Sequence, residues 1–198
     1  MSTARTDRRR TGPATRADLL AAATRLLTAG STVAGLSVDR IVDEAGMSRA
    51  TFYLHFKDKT ELVAALAEDQ VAWRETIGAK ALADRSVTRD TVRAMLAEIV
   101  DRWIENRAVL AAIIEVAEYD PAMSDTWRTA MLEVADVAAA QFRIRWQGAA
   151  DHPDPDTLAE VFTWMFERSC HQILRDPTRR DAVTDTLTEI IWRVLSTP

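Results

Sequence analysis

The sequence predicts an all-α chain: a three-helix unit built around a helix-turn-helix, followed by a longer helical bundle. Three observations carry this. Apolar residues recur at helical spacing between Gly, Pro and Asp breakers, and no segment alternates as a strand would. Glycine and proline number only six each in 198 residues, while Ala, Leu, Arg and Glu are plentiful. Residues 37–56 hold two short helix signals hinged on Gly46.

The elements follow in order. Residues 1–14, with Arg5, Arg8, Arg9 and Arg10 among Ser, Thr, Gly and Pro, read as a flexible basic arm. A first helix is expected after Thr15, with Asp18 as its capping-box partner and Leu19, Leu20, Ala23, Leu26 and Leu27 as its stripe. Ser37 caps the next segment, whose inner face is Val38, Ile41, Val42 and Ala45. Gly46 can take the left-handed conformation that ends a helix. Ser48 caps a third segment, with Phe52 and Phe56 turned inward and Arg49, Thr51, Tyr53 and His55 on the other side. Asp58 and Glu61 open a fourth helix, expected to reach about residue 78 through Leu62, Leu66 and Trp73. Further helices are expected at 88–105, 107–118, 122–147, 155–175 and 179–196, with breaks at Ser86, Asp120-Pro121, Gly148 through Pro155 and Asp176-Pro177. The domain division is therefore 1–14, 15–60 and 61–198.

Charge is uneven. The chain carries −5 overall, yet residues 1–59 carry +4 and residues 60–198 carry −9. The basic part coincides with the helix-turn-helix and its arm, the footprint of a nucleic-acid contact on an otherwise acidic protein. Arg49 can reach base edges and Thr51 a base or a methyl group; Ser37 offers a hydroxyl at a helix N-terminus, suited to a phosphate. The double-stranded DNA operator is the expected partner.

The same residues carry a family resemblance. Ser37 to Ile41, Ala45 to Ser48, and Thr51 to Lys59 resemble the DNA-binding domain of TetR-type bacterial transcriptional repressors over roughly residues 16–66. The resemblance implies that Ser48, Tyr53, His55 and Lys59 complete the DNA-binding set, the last three as phosphate contacts. A weaker likeness, to the ethionamide-resistance-type subgroup, rests on Asp125 to Met131, Trp164 to Arg168 and Asp185 to Leu187. It implies an elongated apolar cavity in the second domain.

Six tryptophans, at 73, 103, 127, 146, 164 and 192, all follow the helix-turn-helix. Core packing and a dimer interface account for most of them. The rest are read as pocket lining: Trp103, Trp127, Met131, Trp164 and Phe166, on separate helices whose inner faces can converge. Phe166 stands where the subgroup has a polar amide, which makes the pocket more apolar or fills it. The segment 158–174 and the last helix carry more apolar residues than one inner stripe requires, so a homodimer through those two helices is expected.

Other chemistries lack their residues. Cys170 is the only cysteine, and it reads as a buried hydrophobe in a reducing compartment. His55, His152 and His171 have no metal-ligand spacing, and no nucleophile motif or phosphate loop is present. No cofactor, metal or membrane span is expected, nor a secretory leader, since no apolar run follows the N-terminal arginines. The expectation is a cytoplasmic, dimeric repressor, not an enzyme, released from DNA by an apolar small molecule. A regulator that activates or takes no ligand, and a helical enzyme or interaction module, stand as its alternatives.

Overall fold

Side-chain oxygens start most of the helices. The computed structural model of the chain describes residues 13–71, 87–147 and 152–196. Among them are nine α-helices and no strand: α1 (Pro13–Thr28), α2 (Val38–Ala45), α3 (Arg49–Tyr53), α4 (Lys59–Val71), α5 (Arg89–Glu105), α6 (Arg107–Ala117), α7 (Pro121–Arg145), α8 (Pro155–Ile173) and α9 (Arg180–Ser196). Ser37, Ser48, Thr88, Asp120 and Asp154 each sit in a non-helical conformation and accept a backbone N–H three residues on. Each satisfies a donor that a helix start leaves without an intrahelical partner. At α4 the two acids share this work. Asp58 accepts from the Glu61 N–H at 2.9 Å, and the Glu61 carboxylate reaches back to the Lys57 N–H at 2.6 Å.

Gly46 closes α2 with φ +66° and ψ +35°. Its N–H donates to the Asp43 carbonyl at 3.1 Å, and the Met47 N–H donates to the Val42 carbonyl at 2.8 Å. This pair of bonds is the Schellman arrangement, and it fixes the direction in which the chain leaves α2. A side chain at Gly46 would meet no atom within 4 Å. The need for glycine is thus a backbone need, not a steric one.

Three expectations are corrected in detail. The first helix includes Pro13 and Thr15 and does not start after them; Thr15 is buried inside it. The third is shorter than its pattern, ending at Tyr53, so His55 and Phe56 lie beyond it. Between α8 and α9 a single 3-10 turn, Pro177–Arg179, precedes the last helix, because Asp176 accepts the Thr178 N–H and tightens the chain there. The basic arm up to residue 12, Trp73 and the continuation of α4 past Val71 lie outside the described residues.

Helix α1 packs on α2, and α2 on α3, while α4 lies against α1, α6 and α7. Phe52 and Phe56 are buried beneath α3, and the Arg16 guanidinium lies 5.3 Å over the Phe56 ring. Burial of one such phenyl side chain stabilises by about 1.5–3 kcal/mol, more than any exposed ion pair in the domain can supply. The remaining helices form a bundle in which α7 packs broadly on α8 and α5 on α9. The α5–α9 contact is laced by Arg180, which donates to both Asp101 oxygens at 2.6 Å, and by Arg93 with Asp185 at 2.7 Å. The Arg180 guanidinium holds the Asp101 carboxyl below the usual carboxylate range.

His171, half-buried on α8, has its pKa lowered from 6.5, first by burial, then by Arg175 and Arg168, with Glu118 opposing. The unfolded chain then binds the extra proton first, so stability falls as pH drops through about 6.5 and is regained above it. Thermal melts between pH 7.5 and pH 5 should therefore show a decline in Tm that His171→Gln reduces; identical profiles for the two proteins would remove His171 as the source.

Candidate functional site

The turn at Gly46 and the buried Phe52 present α3 to solvent. Ser48, at its N-terminus, accepts the Thr51 N–H at 3.1 Å, and its hydroxyl lies 2.9 Å from the Thr51 hydroxyl. Arg49, Tyr53 and the turn residue Leu54 are exposed, Leu54 at 78%. One Arg49 nitrogen, Nη1, donates to both carboxylate oxygens of Asp39, at 2.7 and 2.9 Å, and Nη2 reaches the Tyr53 hydroxyl at 3.5 Å. The Tyr53 hydroxyl, and after it the Asp39 carboxylate, hold the Arg49 guanidinium still more firmly in its charged form. Asp39 was not singled out in the sequence. It lies ten positions before Arg49, and only the reversal at Gly46 brings the two together.

The other residues of this face are held at different depths. Ser37 is exposed, and its hydroxyl caps α2 by accepting the Arg40 N–H at 3.3 Å. Thr51 and His55 are half-buried. Lys59 is also half-buried; its ammonium donates to the Val33 carbonyl at 2.9 Å, pinning the start of α4 to the loop before α2. Arg40, whose guanidinium donates to the Gly35 carbonyl at 2.8 Å, and Lys57 add exposed cations to which the sequence reading gave no contact role.

A cavity of about 140 Å³ lies between α5, α7, α8 and α9. At the ~30 Å³ a water occupies in the liquid, that is room for about five water molecules. Met95, Ile99 and Trp103 line it from α5, Met131, Val134 and Phe142 from α7, Phe162 and Phe166 from α8, and Ile191 from α9. Trp103, Met131 and Phe166 are thus brought together on one volume. Trp127 and Trp164 are not on its lining, a departure from the expected set: Trp127 is buried elsewhere on α7, four residues before Met131, and Trp164 is half-buried on another side of α8. Helical spacing explains both, since one turn or two residues along a helix moves a side chain past a cavity of this size.

Phe166 does not fill the space. Its ring meets Trp103 edge-on, with centroids 6.3 Å apart and planes at 76°, and the cavity remains open beside the pair. The polar group expected to be missing at position 166 stands one residue on: Glu167 is buried, at 3% exposure, and belongs to the lining. The sequence reading passed over Glu167, because an acid on a helix is ordinarily a solvated one.

The capping role of Ser48 can be separated from any contact it makes outside the chain. Ser48→Ala should cost about 1 kcal/mol of stability in urea unfolding, whereas Ser48→Asp, still able to accept the Thr51 N–H, should retain most of it. Equal losses in both variants would show that the hydroxyl is not acting as a cap.

Comparison with known proteins gives this geometry its context. Residues 19–66 match the family profile described as "Bacterial regulatory proteins, tetR family". No curated protein matches the sequence. Solved structures are similar over nearly the whole chain. The fatty acid degradation regulator FadR from Bacillus halodurans is 10% identical with a TM-score of 0.74, covering 94% of this chain and 96% of that one. FadR from Bacillus subtilis in complex with stearoyl-CoA is 10% identical with a TM-score of 0.72, covering 88% and 96%. A protein from Saccharomonospora viridis in complex with choline is 19% identical with a TM-score of 0.70, covering 91% and 96%. Residues 19–66 are thus similar to the tetR family of bacterial regulatory proteins, and the chain has the all-α fold of solved structures such as a TetR-family transcriptional regulator from Mesorhizobium loti.

Proposed function

We propose that this protein is a ligand-responsive transcriptional repressor that binds a near-palindromic operator as a homodimer. The observation that carries the reading is the exposed polar face of α3, held over the buried Phe52 and Phe56 by a capped, Gly-terminated turn. In this reading α3 enters the major groove, with Arg49 and Thr51 at base edges. Ser37, Ser48, Tyr53, His55 and Lys59 meet phosphates and set the register. Residues 1–14 act as a basic arm, residues 15–60 as the DNA-binding domain and residues 61–198 as the ligand-binding and dimerisation domain, in the cytoplasm.

Asp39 gives the readout a condition. Arg49 must exchange one carboxylate for a guanine edge, so the face is pre-shaped but must be unlatched on binding. Dimerisation through α8 and α9 is supported by apolar side chains left at their surface, Val161 at 55% exposure and Ile190 at 36%. An elongated apolar effector is supported by the cavity, and by the subgroup likeness at Asp125 to Met131 and Trp164 to Arg168. The Bacillus subtilis FadR complex with stearoyl-CoA and the Saccharomonospora viridis complex with choline add that this fold holds small molecules in other proteins. A ligand that prefers the conformation unfit for DNA lowers operator affinity by its difference in affinity between the two states.

Gel-shift titration against the DNA upstream of its own gene tests this reading. Light scattering should give twice the 22.1 kDa of one chain. Arg49→Ala should weaken operator binding about tenfold to a hundredfold and relax sequence preference, while Lys59→Ala should weaken all sequences evenly and flatten the salt dependence. A 22.1 kDa species at micromolar concentration would overturn the dimer, and a folded Arg49→Ala variant with unchanged specificity would remove Arg49 from the readout.

A further inference from the structure

Arg49 does not reach outward alone. Its Nη1 donates to both carboxylate oxygens of Asp39, at 2.7 and 2.9 Å, and the two side chains are exposed, at 58% and 62%. Asp39 stands in the first turn of α2 and Arg49 opens α3, so the reversal at Gly46 sets an anion and a cation head to head in solvent. In the reading proposed above, Arg49 leaves this pair for a guanine edge. The carboxylate then stands beside a polyanion without its cation, which costs free energy. That cost is offset only where the groove supplies an N–H to the freed oxygens. The two heads lie one hydrogen bond apart, a separation comparable with the ~3.4 Å between stacked bases, so the donor must come from the base pair next to the guanine. Of the four major-groove edges, cytosine offers an amino donor with no acceptor beside it. Adenine sets its amino group beside the N7 acceptor, while thymine O4 and guanine O6 and N7 present lone pairs that repel a carboxylate.

We infer that Asp39 is a second base-reading residue: its carboxylate, freed when Arg49 turns to guanine, accepts a hydrogen bond from the N4 amino group of a cytosine at the adjacent base pair. The inference rests on the DNA-binding reading above and deepens it, since one ion pair opens into two base contacts of opposite polarity. At the correct step both ends of the pair find partners, and at any other step the carboxylate does not. An Asp39 that only neutralised Arg49, or only favoured the N-terminus of α2, would shift affinity for every sequence alike.

Selection by the full-length protein from a randomised duplex pool, followed by titration of the recovered site with each base placed beside the guanine, tests this. Wild type should favour cytosine over thymine or guanine there by about tenfold, with adenine between. Asp39→Ala should level that ranking, chiefly by tighter binding to the thymine and guanine sites, while the guanine preference assigned to Arg49 persists. Asp39→Asn, which offers both a donor and an acceptor, should move the preference toward adenine, and it provides a second reading should Asp39→Ala fold poorly. A ranking that Asp39→Ala leaves unchanged, or a wild-type site without cytosine beside the guanine, overturns the inference while leaving Arg49 as a reader. Recovery of no preferred sequence overturns the DNA-binding reading itself.

Discussion

One apolar helix holds the two halves of this molecule in register. In α6, Val109, Leu110, Ala112, Ile113, Ile114 and Val116 are all buried, on more sides than a single stripe would require. It packs on α1 and α4 on one side and on α7 on the other. A helix this apolar has no stable position except between other elements. Removing water from it is therefore what fixes α1 and α4 against the bundle. Close-packed interiors transmit displacement and do not absorb it, so α7, which lines the cavity, and α4, which follows the helix-turn-helix, are joined mechanically, both through α6 and by their own direct contact.

That connection gives the proposed ligand response a physical route. The α7 wall, with Met131, Val134 and Phe142, connects to α3 by way of α4 and α6, then α1 and α2. A tenfold change in operator affinity needs about 1.4 kcal/mol of coupling, less than the burial of one large apolar side chain is worth. Only a modest repacking around the cavity is required, provided that α6 moves as a unit.

The proposed reading face shows the opposite economy. Its foundation is rigid: two buried phenyl rings, a capped start and a left-handed glycine. Its outer contacts are weakly held: Arg49 and Asp39 are both exposed, and pairs of that kind in water are readily exchanged for others. The proposed exchange of an internal carboxylate for a DNA partner needs this combination, since a buried bridge would resist it.

The sequence by itself determined the all-α class, the helix order, the turn at Gly46 and the inward placement of Phe52 and Phe56. Caps, breakers and apolar periodicity are local signals, and each helix carries its own. The same locality explains the errors. A pattern of Phe at four-residue spacing does not say that the helix ends at Tyr53, because Phe56 is buried equally well from the turn that follows. Nor can spacing along one helix say which of Trp127, Met131, Trp164 and Phe166 faces a cavity, since that depends on the rotation of α7 and α8 about their axes against α5 and α9. Only the tertiary structure decided that Trp127 and Trp164 stand aside, that Asp39 meets Arg49, and that Glu167 is buried on the cavity's lining. Each of these is a contact between elements brought together by burial elsewhere, and burial is a property of the assembled chain.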